Sequence, residues 1–105
     1  MFAVKQATLP TLSGKERLIL EQLVADGAKY GLQLVDDSRG RLKRGTVYVT
    51  LGRMEEKGLV SSQHEASSRD DGAIPRRMYH ATALGRRVLA AWTTVARAFA
   101  LETGR

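Results

Sequence analysis

Cysteine is absent from this 105-residue chain. That removes disulfides, thiolate nucleophiles and cysteine-ligated zinc together. Histidine is scarce: His64 and His80 are the whole supply, and both fall in a region that reads as strand. No glycine-rich phosphate loop, metal-ligand cluster or nucleophile elbow is present. The acidic pairs Asp36-Asp37, Glu55-Glu56 and Asp70-Asp71 look like helix and turn surface, with no partner for acid-base work. An enzyme is therefore not expected, and neither a cofactor nor a metal is called for. No apolar run approaches the roughly 20 residues of a membrane span. The opening "MFAVKQATLPTL" lacks a long apolar core of the signal-peptide kind. The expectation is a cytoplasmic protein with no membrane contact. Acidic residues are outnumbered 11 to 17 by lysine and arginine, giving a formal net charge of +6 and a pI near 10.2. A domain this basic has the electrostatic footprint of a nucleic-acid binder, although basic membrane-surface proteins share it.

What is present reads as a short string of elements in one domain. Residues 1–12 form an arm that Pro10 keeps from being a clean helix. "SGKE" at residues 13–16 is a capping-box pattern. Ile19, Leu20, Leu23 and Val24 then repeat at helical spacing, so a first helix is expected over about residues 13–25, closed by Gly27. "YGLQLVDDS" suits a short second helix, and "RGRLKRG" a turn. The stretch "RGTVYVTLGRMEEKGLV" supplies a third helix over about residues 45–57. Val47, Leu51 and Met54 make its buried stripe, and Gly58 is placed as its C-terminal cap. After Gly58 the period changes. "LVSSQHE" and "RRMYHAT" are candidate strands of a hairpin, joined by "ASSRDDGAIP" with its turn residues. A long last helix follows, with Thr82 as its N-cap and Leu84, Val88, Trp92, Val95 and Phe99 along one stripe.

Three helices, a two-stranded wing and a fourth helix make the winged helix-turn-helix pattern, an α+β and mainly helical fold. In such modules the third helix lies in the DNA major groove. Thr46, Tyr48, Thr50 and Arg53 lie off the buried stripe and can face DNA. Arg39, Arg41, Lys43 and Arg44 precede them, four cations in six residues that can neutralise phosphates. Arg76 and Arg77 at the wing base form a second cationic set; Arg69 near the wing tip is offset by Asp70 and Asp71. The plainer alternatives are a solvated turn, Thr46 as a cap and Tyr48 as a packing residue. Gly52 in mid-helix costs about 1 kcal/mol relative to alanine, which a closely approaching backbone would explain. The domain boundaries expected are 1–12 for the arm, 13–82 for the winged helix and 83–105 for a C-terminal helix.

"YGLQLVDD", "RGTVYVTLGRMEEKGLVSS" and "RRMYHATALGRRVL" together resemble the PadR family of winged-helix transcriptional regulators. Gly45, Thr46, Val47, Tyr48, Leu51, Glu55, Gly58 and Leu59 fit the family's third helix. Arg76, Arg77, Tyr79, Thr82 and Gly85 fit its wing exit. The chain departs from it at Val49 and Gly52, where the family often carries a basic residue, and at Lys29-Tyr30-Gly31, where histidine-glycine-tyrosine is usual. The resemblance implies a dimeric repressor of the short branch, with dimerisation through the single C-terminal helix. It also implies that Trp92 lines a dimer-interface pocket for flat aromatic molecules.

The last helix supports the same expectation from its own residues. Val88, Trp92, Val95 and Phe99 are too apolar to leave in water, so a homodimer through this helix is expected. Two-fold symmetry then calls for a pseudo-palindromic operator. Trp92 and Phe99 are the candidate effector contacts, a dimer-core role for Trp92 being the plainer reading. The alternative function is a winged-helix protein-interaction module without sequence-specific DNA binding.

Overall fold

The computed structural model describes residues 9–65 and 76–102. The elements run α1 (Gly14–Asp26), β1 (Lys29–Tyr30), α2 (Gly31–Asp37), α3 (Arg44–Glu56), β2 (Val60–His64), β3 (Arg77–Ala81) and α4 (Ala83–Glu102). The winged-helix order expected from the sequence is present. One element is added: the two-residue β1 pairs antiparallel with β3, so the wing sheet has three strands in the order β1-β3-β2. Two residues are too few to show a period, which is why the sequence gives no sign of β1. The wing-tip turn and Arg69 lie outside the described residues.

Each helix end follows local chemistry. At the start of α1, Ser13 Oγ accepts from the Glu16 amide at 3.1 Å, and Glu16 Oε1 accepts from the Ser13 amide at 2.9 Å. This reciprocal pair satisfies two orphan donors of the first turn. Glu16 is buried, and Lys57 Nζ donates to it at 2.8 Å, tying α1 to the end of α3. Burial raises the Glu16 carboxyl, but the Lys57 ammonium and the Ser13 amide outweigh it and leave it below its ordinary value. At the end of α3, Leu59 N donates to Met54 O at 2.9 Å and Gly58 N to Glu55 O at 3.0 Å, with Gly58 at φ 78°. These are the two bonds of a Schellman ending, which needs a left-handed residue at Gly58.

The core gathers Ile19, Leu20 and Leu23 of α1, Leu34 of α2, Val47, Leu51 and Met54 of α3, and Leu59, Tyr79 and Ala81 from the wing side. Val88 and Leu89 of α4 complete it, with Trp92 packed against its edge. This corrects one sequence expectation. Val88 is 3% exposed within the single chain, so its methyls are already spent on the protomer's own core. The expected continuous stripe on α4 is thus split: Val88 turns inward, while Val95 and Phe99 stay exposed at 47% and 67%. The arm is engaged as well. Leu9 and Leu12 pack on the core, and Trp92 Nε1 donates to Pro10 O at 2.7 Å.

The start of α4 interlocks with the turn that ends α3. Thr82 Oγ1 donates to Gly58 O at 2.6 Å and accepts from Gly85 N at 3.0 Å. Thr82 N donates to Leu59 O at 3.1 Å. The Gly85 backbone lies so close that a side-chain carbon there would fall on the Leu59 carbonyl oxygen. Neither partner is a flexible side chain, so relief requires moving backbone. Gly85→Ala is accordingly expected to destabilise the chain by about 3 kcal/mol. A urea-unfolding midpoint equal to that of the parent would show that α4 docks otherwise.

Candidate nucleic-acid interface

The third helix is rotated by its core stripe. With Val47, Leu51 and Met54 fully buried, the 100° step of the helix turns the other positions outward. Tyr48 and Val49 are exposed at 47% and 56%. Thr46 and Arg53 are exposed and Thr50 is half-buried. The structure divides this surface into two flanks. On one, Thr46, Thr50 and Arg53 face a groove whose far wall is Thr11, Leu12 and Lys15. On the other, Tyr48 faces the wing base with Arg76 and Arg77. Among the described residues, the adjoining turns of α3 aside, nothing stands within 4 Å of where a Gly52 side chain would begin. The glycine is thus not explained by an approaching backbone among the described residues.

Both threonine hydroxyls donate to their own helix. Thr50 Oγ1 donates to Thr46 O at 3.1 Å, and Thr46 Oγ1 reaches Lys43 O at a long 3.5 Å. Their oxygens remain free to accept. In the sequence Val49 stands out only as a departure from the family pattern, with no contact assigned to it. On the surface it presents two methyls, chemistry that suits a thymine methyl in the major groove.

The loop before α3 is pinned at two buried points. Ser38, 2% exposed, donates through Oγ to Val35 O at 2.7 Å and accepts from Leu42 N at 2.9 Å. Leu42 is 2% exposed in the core. Between and after these anchors Arg39, Arg41, Lys43 and Arg44 all point to solvent. Nothing in the sequence marks Ser38 as an anchor, since its bonds to Val35 and Leu42 exist only once the loop is folded. The charges on this surface have no carboxylate partner among the described residues. The four ion pairs among the described residues use Arg17, Lys29 and Lys57. Arg39, Arg41, Lys43, Arg44 and Arg53 take part in none of them.

Behind the wing base, Tyr30 organises a second cluster. Its amide donates to Gln33 Oε1 at 2.8 Å and its hydroxyl to Glu65 Oε2 at 2.5 Å. The Glu65 bond raises the phenol above its ordinary value, so it stays a donor. Arg76 Cζ lies 4.9 Å from the centre of the Tyr30 ring, a cation–π distance. Arg77 donates to Ser62 Oγ at 2.9 Å and meets His64 Nε2 at 2.6 Å, while Ser62 Oγ donates to Glu55 Oε2 at 2.6 Å. The wing base is thereby connected to α3. His64 and His80 sit on β2 and β3 as expected, and no metal-binding group of His, Asp or Glu occurs among the described residues. Nor is any helix among them long and apolar enough to cross a membrane.

Arg39 is the one described non-glycine residue with positive φ, at 55°, followed by Gly40 at 88°. A left-handed arginine costs roughly 1–2 kcal/mol, which glycine avoids at a smaller entropic penalty. Arg39→Gly is therefore expected to gain about 0.5–1 kcal/mol of stability and raise Tm by roughly 2–6 °C. A calorimetric Tm at or below that of the parent would contradict the assignment of strain to this turn.

No curated protein sequence matches the chain. The solved structures do. A PadR family transcription regulator from Clostridium difficile is similar at TM-score 0.66 and 27% identity, covering 88% of this chain and 100% of that one. A PadR family transcriptional regulator from Eggerthella lenta is similar at TM-score 0.62 and 28% identity, over 84% and 80%. A PadR-like transcription factor from Bacteroides fragilis shares the fold at TM-score 0.71 and 20% identity, over 83% and 84%. The transcriptional regulator PadR-like family matches residues 19–91, from the middle of α1 into α4. With the wing, the rotated third helix and its unpaired cations in view, that match places the chain in the PadR-like family of transcriptional regulators, not among enzymes.

Proposed function

We propose that the chain is a dimeric repressor that reads a pseudo-palindromic DNA operator through α3 and the loop before it. The observation that carries this is the set of five cations, Arg39, Arg41, Lys43, Arg44 and Arg53, in no ion pair beside a helix face the core does not use. Cations left without carboxylates release counterions when phosphates replace them. In this reading Arg39, Arg41, Lys43 and Arg44 hold the backbone. Thr46, Tyr48, Thr50 and Arg53 meet base edges, with Val49 available to a thymine methyl. Arg76 and Arg77 hold a second backbone segment from the wing.

The dimer rests on the outer half of α4. Val95, Phe99 and Leu101 are 47%, 67% and 82% exposed. Covering them with the same helix of a second copy contributes several kcal/mol at about 25 cal/mol per Å². Two recognition helices then sit about 34 Å apart along the duplex. An effector at Trp92 belongs to the same reading but depends on the second copy. Beside Trp92 the single chain offers about 130 Å³, below the roughly 300 Å³ at which ligand sites begin. Phe99 of either protomer would have to complete it.

Fluorescence anisotropy with duplexes selected from a randomised library tests the proposal. The logarithm of affinity should fall with the logarithm of salt at a slope near −0.9 per phosphate contacted. Arg44→Ala should weaken selected and random duplexes alike. Tyr48→Ala should weaken the selected duplex by about 1–3 kcal/mol and leave random duplexes nearly unchanged. Phe99→Ser should shift the sedimentation coefficient to that of a monomer. Salt-independent binding would point instead to a protein-interaction module, and an unaltered preference in Tyr48→Ala would show that another face reads the bases.

A further inference from the structure

The arm ahead of α1 is a strap fixed at two points. Trp92 Nε1 donates to Pro10 O at 2.7 Å, across 82 residues of chain. Three residues further on, Ser13 is held by its reciprocal bonds with Glu16. Only Thr11 and Leu12 lie between these points, and Pro10 brings its own fixed φ. Leu9 and Leu12 pack on the core, whereas Thr11 is exposed. Packing accounts for the two leucines. It does not account for Thr11, which the two anchors hold outward.

Thr11 and Leu12 line two cavities at once. One is the small space beside Trp92 and Arg17. The other is a groove of about 650 Å³ whose opposite wall is Thr46, Thr50 and Arg53 of α3. The free charges of that groove have one sign. Glu16 and Lys57 line it but neutralise each other at 2.8 Å. Lys15 and Arg53 line it from opposite sides, and neither enters an ion pair among the described residues. An exposed hydroxyl and two such cations suit a run of phosphates rather than an apolar or a basic segment.

We propose that this groove takes one backbone strand of the DNA, with Thr11 and Lys15 on its outer side, and that Trp92 is the positioning residue that latches the strap there. The inference rests on the reading of DNA through α3. Lys15 neutralises a phosphate and the Thr11 hydroxyl donates to one. Trp92 itself touches no DNA. It acts through the Pro10 carbonyl, a role inside one protomer and separate from any at a dimer interface. The coupling is reciprocal. If the latch strengthens duplex binding, a bound duplex strengthens the latch by the same factor.

Trp92 is the one tryptophan of the chain, so its indole N–H gives a single resonance in the ¹⁵N-labelled full-length protein. Its exchange with solvent should slow about fivefold or more when a random-sequence duplex is bound at low salt. An unchanged rate would overturn the latch. Fluorescence anisotropy with the same duplex tests the outer wall. Lys15→Ala should make the salt slope shallower by about 0.9, the value of one phosphate contact. Thr11→Asp should weaken binding about tenfold or more, because it sets a carboxylate against the strand. Trp92→Phe keeps a ring and loses the donor, and should weaken binding about fivefold at the parental sedimentation coefficient. If that coefficient changes, the exchange rate in the unmutated chain decides the latch. Parental affinity and slope in both Lys15→Ala and Thr11→Asp, with Arg44→Ala still weakened, would overturn the strap and leave reading through α3 standing. A parent chain that binds no duplex would overturn both.

Discussion

Burial of Val47, Leu51 and Met54 is the constraint from which the rest of the surface follows. Three apolar residues spaced over two turns leave the helix one rotation that hides them all. That rotation puts Tyr48 on the flank next to the wing and Thr46, Thr50 and Arg53 on the flank next to the arm. Val49 stands exposed between them. The side to which the polar and aromatic residues of α3 turn is therefore set by the core stripe rather than by their own contacts. They are carried outward by what the core requires of their neighbours.

The wing takes its place from the same helix. The Schellman turn at Gly58 and Leu59 ends α3 and starts β2 within three residues. Thr82 and Gly85 then clamp that turn from the other side of the hairpin. Glu55, Ser62, Arg77 and His64 extend the connection along the wing base through hydrogen bonds. Helix, wing and first turn of α4 thus behave as one packed unit. A rigid mounting of this kind holds a reading surface in register, whereas free loops would have to be ordered on binding.

Much of this was legible in the sequence, for physical reasons that can be named. Ser13 and Glu16, Gly58, and the spacing of Val47, Leu51 and Met54 are local signals, complete within a few residues. The helix boundaries followed from them to within a residue or two. The cations of residues 39–44 were visible as composition. What escaped depended on partners far away in the chain. β1 is two residues long and exists because β3 is beside it. Ser38 is an anchor because Val35 and Leu42 fold around it. The α4 stripe looked continuous because helical spacing does not show where the protomer's own core ends, which is between Val88 and Val95. The bond from Trp92 to Pro10 joins residues 82 apart, and no window of sequence contains it.

The central claim is that the outer surface of α3, its preceding loop and the wing base meet DNA. Amide chemical-shift mapping of the full-length protein against a random-sequence duplex at low salt tests it most directly. Electrostatic contacts form on any sequence, so no operator is needed. The account predicts the largest shifts from Arg39 through Arg53 and at Arg76 and Arg77, with little change in the outer half of α4. Shifts centred on Val95 and Phe99, or spread evenly over the basic residues of every element, would contradict it.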